Sequence, residues 1–171
     1  MSENFTGRRT QVMLTGWPDT SGEDPPADHP YRAATWLLGR HPRLAQLATR
    51  IAGVVYVDEH DGELSIDVAH LGDVFAAGVK YGEAWEDYEY RHRPPEDENA
   101  YYQWQEAGPK ADDFAKGLSG LLPMSSGEVA YLRLLATLGT TRVPFKLDDL
   151  RSLDAEGQRL LGDWCRAVQE G

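Results

Sequence analysis

The chain has 171 residues, of which 41% are hydrophobic, and carries a formal net charge of −11. A domain of about 150 residues buries roughly 70% of its unfolded surface, so one core can form here without a metal or a disulfide. The single cysteine, Cys165, excludes an intrachain disulfide and indicates a reducing compartment. The acidic charge argues against broad binding to nucleic-acid phosphates.

Neither a targeting segment nor a membrane span is predicted. The first nine residues carry charges with no apolar stretch behind them that could serve as a secretory signal. No uninterrupted apolar run approaches the roughly 18 residues that a membrane-spanning helix needs. We therefore expect a cytoplasmic protein without membrane association.

Residues 1–30 are predicted to form an N-terminal arm, partly flexible, ahead of a single globular domain over residues 31–171. Within the arm, residues 11–15 have the composition of a short strand. Residues 18–30 contain four prolines and several acidic side chains, which is typical of an exposed loop.

Two helices are predicted after this arm. Pro30 suits the first turn of a helix capped by Asp28 or His29, because the missing N–H costs nothing there. Pro42 ends that helix and opens the second one, since a residue before proline avoids the helical region. The second helix is expected to end at Gly53 in the left-handed conformation.

A β-hairpin is predicted over residues 54–57 and 64–68. Both runs are rich in β-branched residues, and the polar connection between them contains Asp-Gly, a strong hairpin signal. Two helices followed by a hairpin are analogous to the second half of a winged-helix module, which binds DNA. In that interpretation the DNA contacts would come from four arginines, which otherwise form a solvated face: Arg32, Arg40, Arg43 and Arg50.

Further helices are indicated by the spacing of apolar residues. A long helix starts near Leu71 and ends before Pro94, with Trp85 on its inner face. Shorter helices are predicted over residues 100–105 and 109–122.

The next helix is predicted to be the centre of the core. Ser125 and Glu128 have the spacing of a capping box, and residues 127–138 are apolar on nearly all sides. A last helix, capped near Asp154, is expected to bury Leu160, Leu161, Trp164, Cys165 and Val168. The side chains expected to be nearly inaccessible to solvent are Trp36, Phe75, Trp85, Leu132, Leu135, Ala136 and Trp164.

Together these elements predict an α+β fold that is predominantly helical. Five to seven helices would surround the central helix at about residues 127–138. The hairpin would form a small antiparallel sheet, to which residues 11–15 could add a third strand.

Common catalytic and nucleotide-binding motifs are absent from the sequence. Glu89 and His92, three residues apart on one helix, have the spacing of ligands in carboxylate-bridged di-metal bundles, and would face inward with Trp85. A second such pair on a helix is missing, so we predict no metal and no cofactor. The alternative for these two residues is a polar helix end before Pro94.

Residues 81–104 are the most distinctive segment. They contain seven of the 17 aromatic residues, all Tyr or Trp, and seven acidic residues against two arginines. Tyr and Trp are enriched at binding surfaces because each combines an apolar body with a polar tip. The alternative is that the rings pack a second layer onto the core. The candidate binding residues are Tyr90, Tyr101, Tyr102, Trp104, Glu86 and Asp87.

The sequence favours a non-catalytic accessory or protein-interaction protein that presents this acidic, Tyr/Trp-rich surface. Its partner is expected to be another protein or a second copy of this chain, while nucleic acid is disfavoured by charge. Three alternatives remain open. They are an acidic inhibitor of the immunity or nucleic-acid-mimic type, an enzyme with an unrecognised cleft, and a winged-helix-like DNA-binding regulator.

Overall fold

A computed structural model shows a mostly helical chain with one small sheet, which confirms the predominantly helical α+β fold. The strand expected over residues 11–15 lies outside the described part of the chain. The described residues are 17, 24–26, 29–60, 62–121, 123–139, 143 and 146–170.

Seven helices and two strands occur in the described ranges. The helices are α1 (Pro30–Gly39), α2 (Pro42–Ala48), α3 (Val68–Arg91), α4 (Glu98–Ala107), α5 (Ser126–Gly139), α6 (Leu147–Ser152) and α7 (Ala155–Glu170). The strands β1 (Val55–Val57) and β2 (Leu64–Ile66) pair antiparallel, with Tyr56 opposite Ser65.

The central position of α5 is confirmed. This helix contacts α1, α2, α3 and α6. Its residues Leu132, Leu135 and Ala136 are completely buried. The predicted capping box begins it: the Ser125 hydroxyl accepts from the Glu128 N–H at 3.3 Å, and the Glu128 carboxylate accepts from the Ser125 N–H at 2.7 Å. An apolar helix with a defined start therefore organises the core.

Two other expectations about the core hold and two are wrong. Trp36 and Phe75 are buried as expected. Trp85 and Trp164 are only partly buried, because each lies on a stretch of helix that extends past the centre of the core. Trp17, from the N-terminal segment, is buried in the core instead.

The last helix begins where the sequence indicates but buries a narrower stripe. An Asp154 carboxylate oxygen accepts from the Gly157 N–H at 2.7 Å and so caps α7. Leu160 is completely buried, whereas Cys165 and Val168 are exposed and were wrongly expected inside. The Trp164 indole N–H, on the exposed half of α7, donates to the Pro26 carbonyl at 3.1 Å.

The helix expected over residues 109–122 is wrong. The structure has two short 3₁₀ turns there, Ala111–Asp113 and Leu118–Gly120. Gly117 between them has φ +102°, a left-handed conformation that stops a right-handed helix. Gly53 is also left-handed, as expected, although α2 has already ended at Ala48.

The second half of α3 projects beyond the core. All fully buried residues of α3 lie between Val68 and Ala77. The helix continues for another 14 residues to Arg91, a distance of about 21 Å at 1.5 Å per residue. This projecting half, together with α4, carries the segment that the sequence singled out.

Candidate interaction surface

The projecting half of α3 and helix α4 are joined by a chain of aromatic rings, called here the ring cluster. It consists of Tyr81, Trp85, Tyr88, Tyr101 and Trp104. Ring centroids are 5.6 Å apart for Trp85 and Trp104, 5.3 Å for Tyr88 and Trp104, and 5.4 Å for Tyr101 and Trp104. These separations are typical of favourable aromatic pairs. At its inner end, Tyr81 contacts Phe114 at 5.4 Å, which ties the ring cluster to the main core.

Two hydrogen bonds between the helices reinforce the ring cluster. The Tyr88 hydroxyl donates to the Trp104 carbonyl at 2.9 Å. In return, the Trp104 indole N–H donates to the carbonyl of His92, the residue that ends α3. Helix α4 is thus held in a defined position although none of its residues is fully buried.

The chain leaves α4 through a glycine that the ring cluster requires. A Cβ at Gly108 would lie 2.5 Å from the distal ring atoms of Trp85. Any larger residue would push the indole away from Trp104. Glycine at position 108 therefore allows the backbone to approach Trp85 closely. Its φ of −74° is accessible to any residue, so glycine is not needed here for its backbone conformation.

The outer face of α4 exposes tyrosine between carboxylates. Tyr101 is 40% exposed and Tyr102 is 56% exposed. Glu98, Tyr102 and Glu106 follow one another at intervals of four residues, so they form one row along the helix surface. Helix α4 contains no lysine or arginine.

Tyr90 does not belong to this face. Its position is two residues, or about 200°, around α3 from Tyr88, which packs against α4. Tyr90 is 91% exposed and shares the outer side of α3 with Glu86 and Asp87, of which Asp87 pairs with Arg91 at 2.9 Å. The predicted binding residues are therefore divided between two faces.

The suggested metal ligands are not directed inward. Helix α3 does extend to Arg91, yet both Glu89 and His92 are exposed. His92 ends the helix, and its ring lies 4.9 Å from that of Tyr88. The described residues contain no group of three or more possible ligands that could hold a metal ion. The inward orientation expected for this pair was wrong because the core ends before this part of α3.

Sequence reasoning missed a polar cleft at the start of three helices. This cleft of about 360 Å³ lies where α2, α5 and α7 begin, and two pairs of polar side chains line it. His41 Nε2 is 3.3 Å from a carboxylate oxygen of Asp154, and Arg43 Nε is 2.6 Å from one of Glu128. The sequence indicates the caps at Ser125 and Asp154 individually. It gives no sign that the helices they begin start next to each other in space.

Both ring nitrogens of His41 are engaged within this cleft. Nε2 faces Asp154, and Nδ1 accepts from the Leu44 N–H at 3.4 Å. The ring lies 5.4 Å from that of Tyr131, whose hydroxyl donates to the Leu37 carbonyl. Within the described chain His41 therefore joins the α1–α2 turn to α7 and has no hydroxyl partner of the kind a nucleophilic site needs.

The Asp154 contacts predict a pH dependence of folding. The Gly157 N–H, with His41 nearby, holds the pKa of Asp154 below its ordinary value. A lowered pKa stabilises the fold above the pKa of the unfolded chain, near 4, and this stabilisation disappears as the pH falls through the lower folded value.

We expect Asp154→Asn to lower the free energy of unfolding by about 0.5–1 kcal/mol at pH 6, since asparagine keeps the cap but loses the charge. Below pH 4 the difference between variant and parent should shrink, as measured by urea unfolding. Glu59→Gln, on the exposed hairpin connection, is the control. A difference that grows on acidification would contradict this assignment.

A second cleft of about 260 Å³ is mostly apolar. Phe75, Val79 and Val129 contribute to its walls. The Arg133 guanidinium at its edge lies 5.5 Å from the Phe75 ring and donates to Asp149 at 2.9 Å, so this cation is already engaged.

Comparison with known proteins gives no match to this chain among family models, curated proteins or solved structures. In the described part of the chain, no helix combines the length and the apolar character needed to cross a membrane.

Proposed function

We propose that this chain is a non-catalytic interaction protein that binds another protein through the outer face of α4. The observation that carries the proposal is the contrast within this helix. Three of its ten residues are Tyr or Trp and none is fully buried, yet the ring cluster holds the helix in one position. Exposed rings on a preorganised helix lose little conformational freedom on binding.

The aromatic residues of α4 lie in two different environments, and this supports the same function. Trp104 points into the ring cluster, whereas Tyr102 points outward and Tyr101 lies between the two environments. Tyr is enriched among the residues that dominate binding energies at protein interfaces. The inner rings fix the helix, and the outer rings are left for a partner.

The second candidate is an acidic inhibitor or nucleic-acid mimic. One observation favours it: of the seven carboxylates in residues 81–104, only Asp87 forms an ion pair within the described chain. Such a protein would bind by charge, so its association rate would fall steeply with added salt. An interface anchored by tyrosine would depend much less on salt.

The change Tyr102→Ala tests the proposed function, because Tyr102 lies on the outer face of α4 and is not part of the ring cluster. Once a partner has been retained from extracts of the native host and identified, we expect this variant to bind it at least about 30-fold more weakly. That factor corresponds to the ~2 kcal/mol typical of a lost anchor, and faster dissociation should account for most of it. Surface plasmon resonance at low and high salt measures both rates.

Tyr90→Ala is the matched control, because Tyr90 is more exposed than Tyr102 but lies on the outer side of α3. It should bind the partner like the parent. Equal weakening by both variants would contradict the assignment to α4. An association rate that falls with added salt and is unchanged by either substitution would favour the charge mimic.

A further inference from the structure

We infer that the partner presents a basic helix to α4, with two Lys or Arg residues eight positions apart and an apolar residue midway between them. This inference rests on the proposed function and specifies the chemistry of the partner at the same face. The cations would reach Glu98 and Glu106, and the residue between them would cover Tyr102.

The spacing follows from the row on α4. Glu98, Tyr102 and Glu106 are separated by four residues each, which is about 6 Å along the helix per step and about 12 Å in total. A partner helix presents an equivalent row at positions i, i+4 and i+8. Rows of this kind lie alongside each other when two helices cross at about −50°, the commonest packing angle.

The two carboxylates are available for an external cation. Glu98 and Glu106 are exposed, and neither forms an ion pair in the described chain. The nearest cations in the sequence on either side are Arg93 and Lys110, and neither one pairs with these carboxylates. Helix α4 itself contains no basic residue that could pair with them.

Tyrosine between two carboxylates suits a basic partner for a second reason. The face of a tyrosine ring attracts cations, and the methylene stems of Lys and Arg cover apolar surface while their charged ends reach a carboxylate. A second copy of this chain would instead place acidic rows against each other, which costs energy through like-charge repulsion. The observations therefore favour a different protein over self-association at this face.

Two synthetic peptides test the spacing. Both are 18-residue alanine-rich helices of identical composition with two arginines and one leucine. The first has the arginines eight positions apart with leucine midway, and the second has them nine positions apart, which places them on opposite sides of the helix. We expect the protein to bind the first peptide about tenfold more tightly, measured by fluorescence anisotropy at low salt.

Two double variants of the protein show which carboxylates cause the preference for the first peptide. The double change Glu98→Gln and Glu106→Gln should abolish the tenfold preference, with far-UV circular dichroism confirming that the helix content is unchanged. The double change Glu83→Gln and Glu86→Gln removes the same charge from the outer side of α3 and should leave the preference intact. Equal binding of the two peptides, or equal loss in the two variants, would overturn the inference.

Failure of the inference is separable from failure of the proposed function. If the identified partner still requires Tyr102 while the peptides bind equally, α4 is the interaction surface and the basic-row chemistry is wrong. If the tyrosine variant binds the partner normally, the assignment of the surface itself is wrong.

Discussion

Truncating Leu135 to alanine is expected to lower the free energy of unfolding by about 2–5 kcal/mol. Leu135 is completely buried in α5, the helix that contacts α1, α2, α3 and α6. The loss combines the transfer free energy of the removed methyl and methylene groups with the cost of a cavity that four surrounding helices cannot easily close. Urea unfolding followed by circular dichroism measures the change.

Val79→Ala is the matched control for this substitution. Val79 lies on the projecting part of α3 and is 58% exposed, so its truncation should change the free energy of unfolding by less than about 0.5 kcal/mol. A loss below 1 kcal/mol for Leu135→Ala would mean that α5 is not the centre of the core.

Replacing Trp104 by alanine is expected to release α4 from α3. The indole contacts the rings of Trp85, Tyr88 and Tyr101, and its N–H donates to the His92 carbonyl. Because Trp104 is only partly buried, we expect a loss of about 2–3 kcal/mol, below the 3–5 kcal/mol usual for a large aromatic in a core. Amide hydrogen exchange should show that protection over residues 98–107 is lost.

Two further variants separate the causes of this effect. Trp104→Phe keeps a ring but removes the N–H donor, and should cost about 1 kcal/mol while α4 stays protected. Tyr102→Ala removes a ring of the outer face and should leave protection of α4 unchanged. Retained protection in Trp104→Ala would show that α4 does not depend on the ring cluster.

Local signals in the sequence predicted the starts of α1, α2, α5 and α7 and the hairpin well, whereas α3 starts at Val68 rather than near Leu71 and α6 was not predicted. Pro30, the capping box at Ser125 and the cap at Asp154 each act within one turn of helix, so they can be recognised without knowing the fold. The apolar character of α5 likewise follows from its composition alone.

Predictions that needed tertiary information were less successful. Helical periodicity places Trp85 on the same face as the buried residues of α3, but it cannot show that the core ends near Ala77. For the same reason, helical periodicity wrongly predicts that Glu89 and His92 face inward. Tyr90 was grouped with Tyr101 and Tyr102 by proximity in sequence, whereas the turn at Pro94 and the packing of α4 put them on separate faces.

The polar cleft illustrates a further limit. His41 and Asp154 are 113 residues apart in the chain, and no short pattern links them. Their contact arises because the starts of α2 and α7 meet at one end of α5. Only the packing of the core brings these groups within hydrogen-bond distance.

The position of α4 outside the main core has a consequence for how this protein could change over evolution. Its outward residues, Glu98, Tyr102 and Glu106, contribute little to the packing that keeps the chain folded, so substitutions among them are nearly neutral for folding. Under the proposed function, selection could therefore change the partner of this face by a few mutations while the ring cluster keeps α4 in place. By the same logic, the outward positions of α4 could be redesigned with little risk of misfolding, whereas the ring cluster and Gly108 could not.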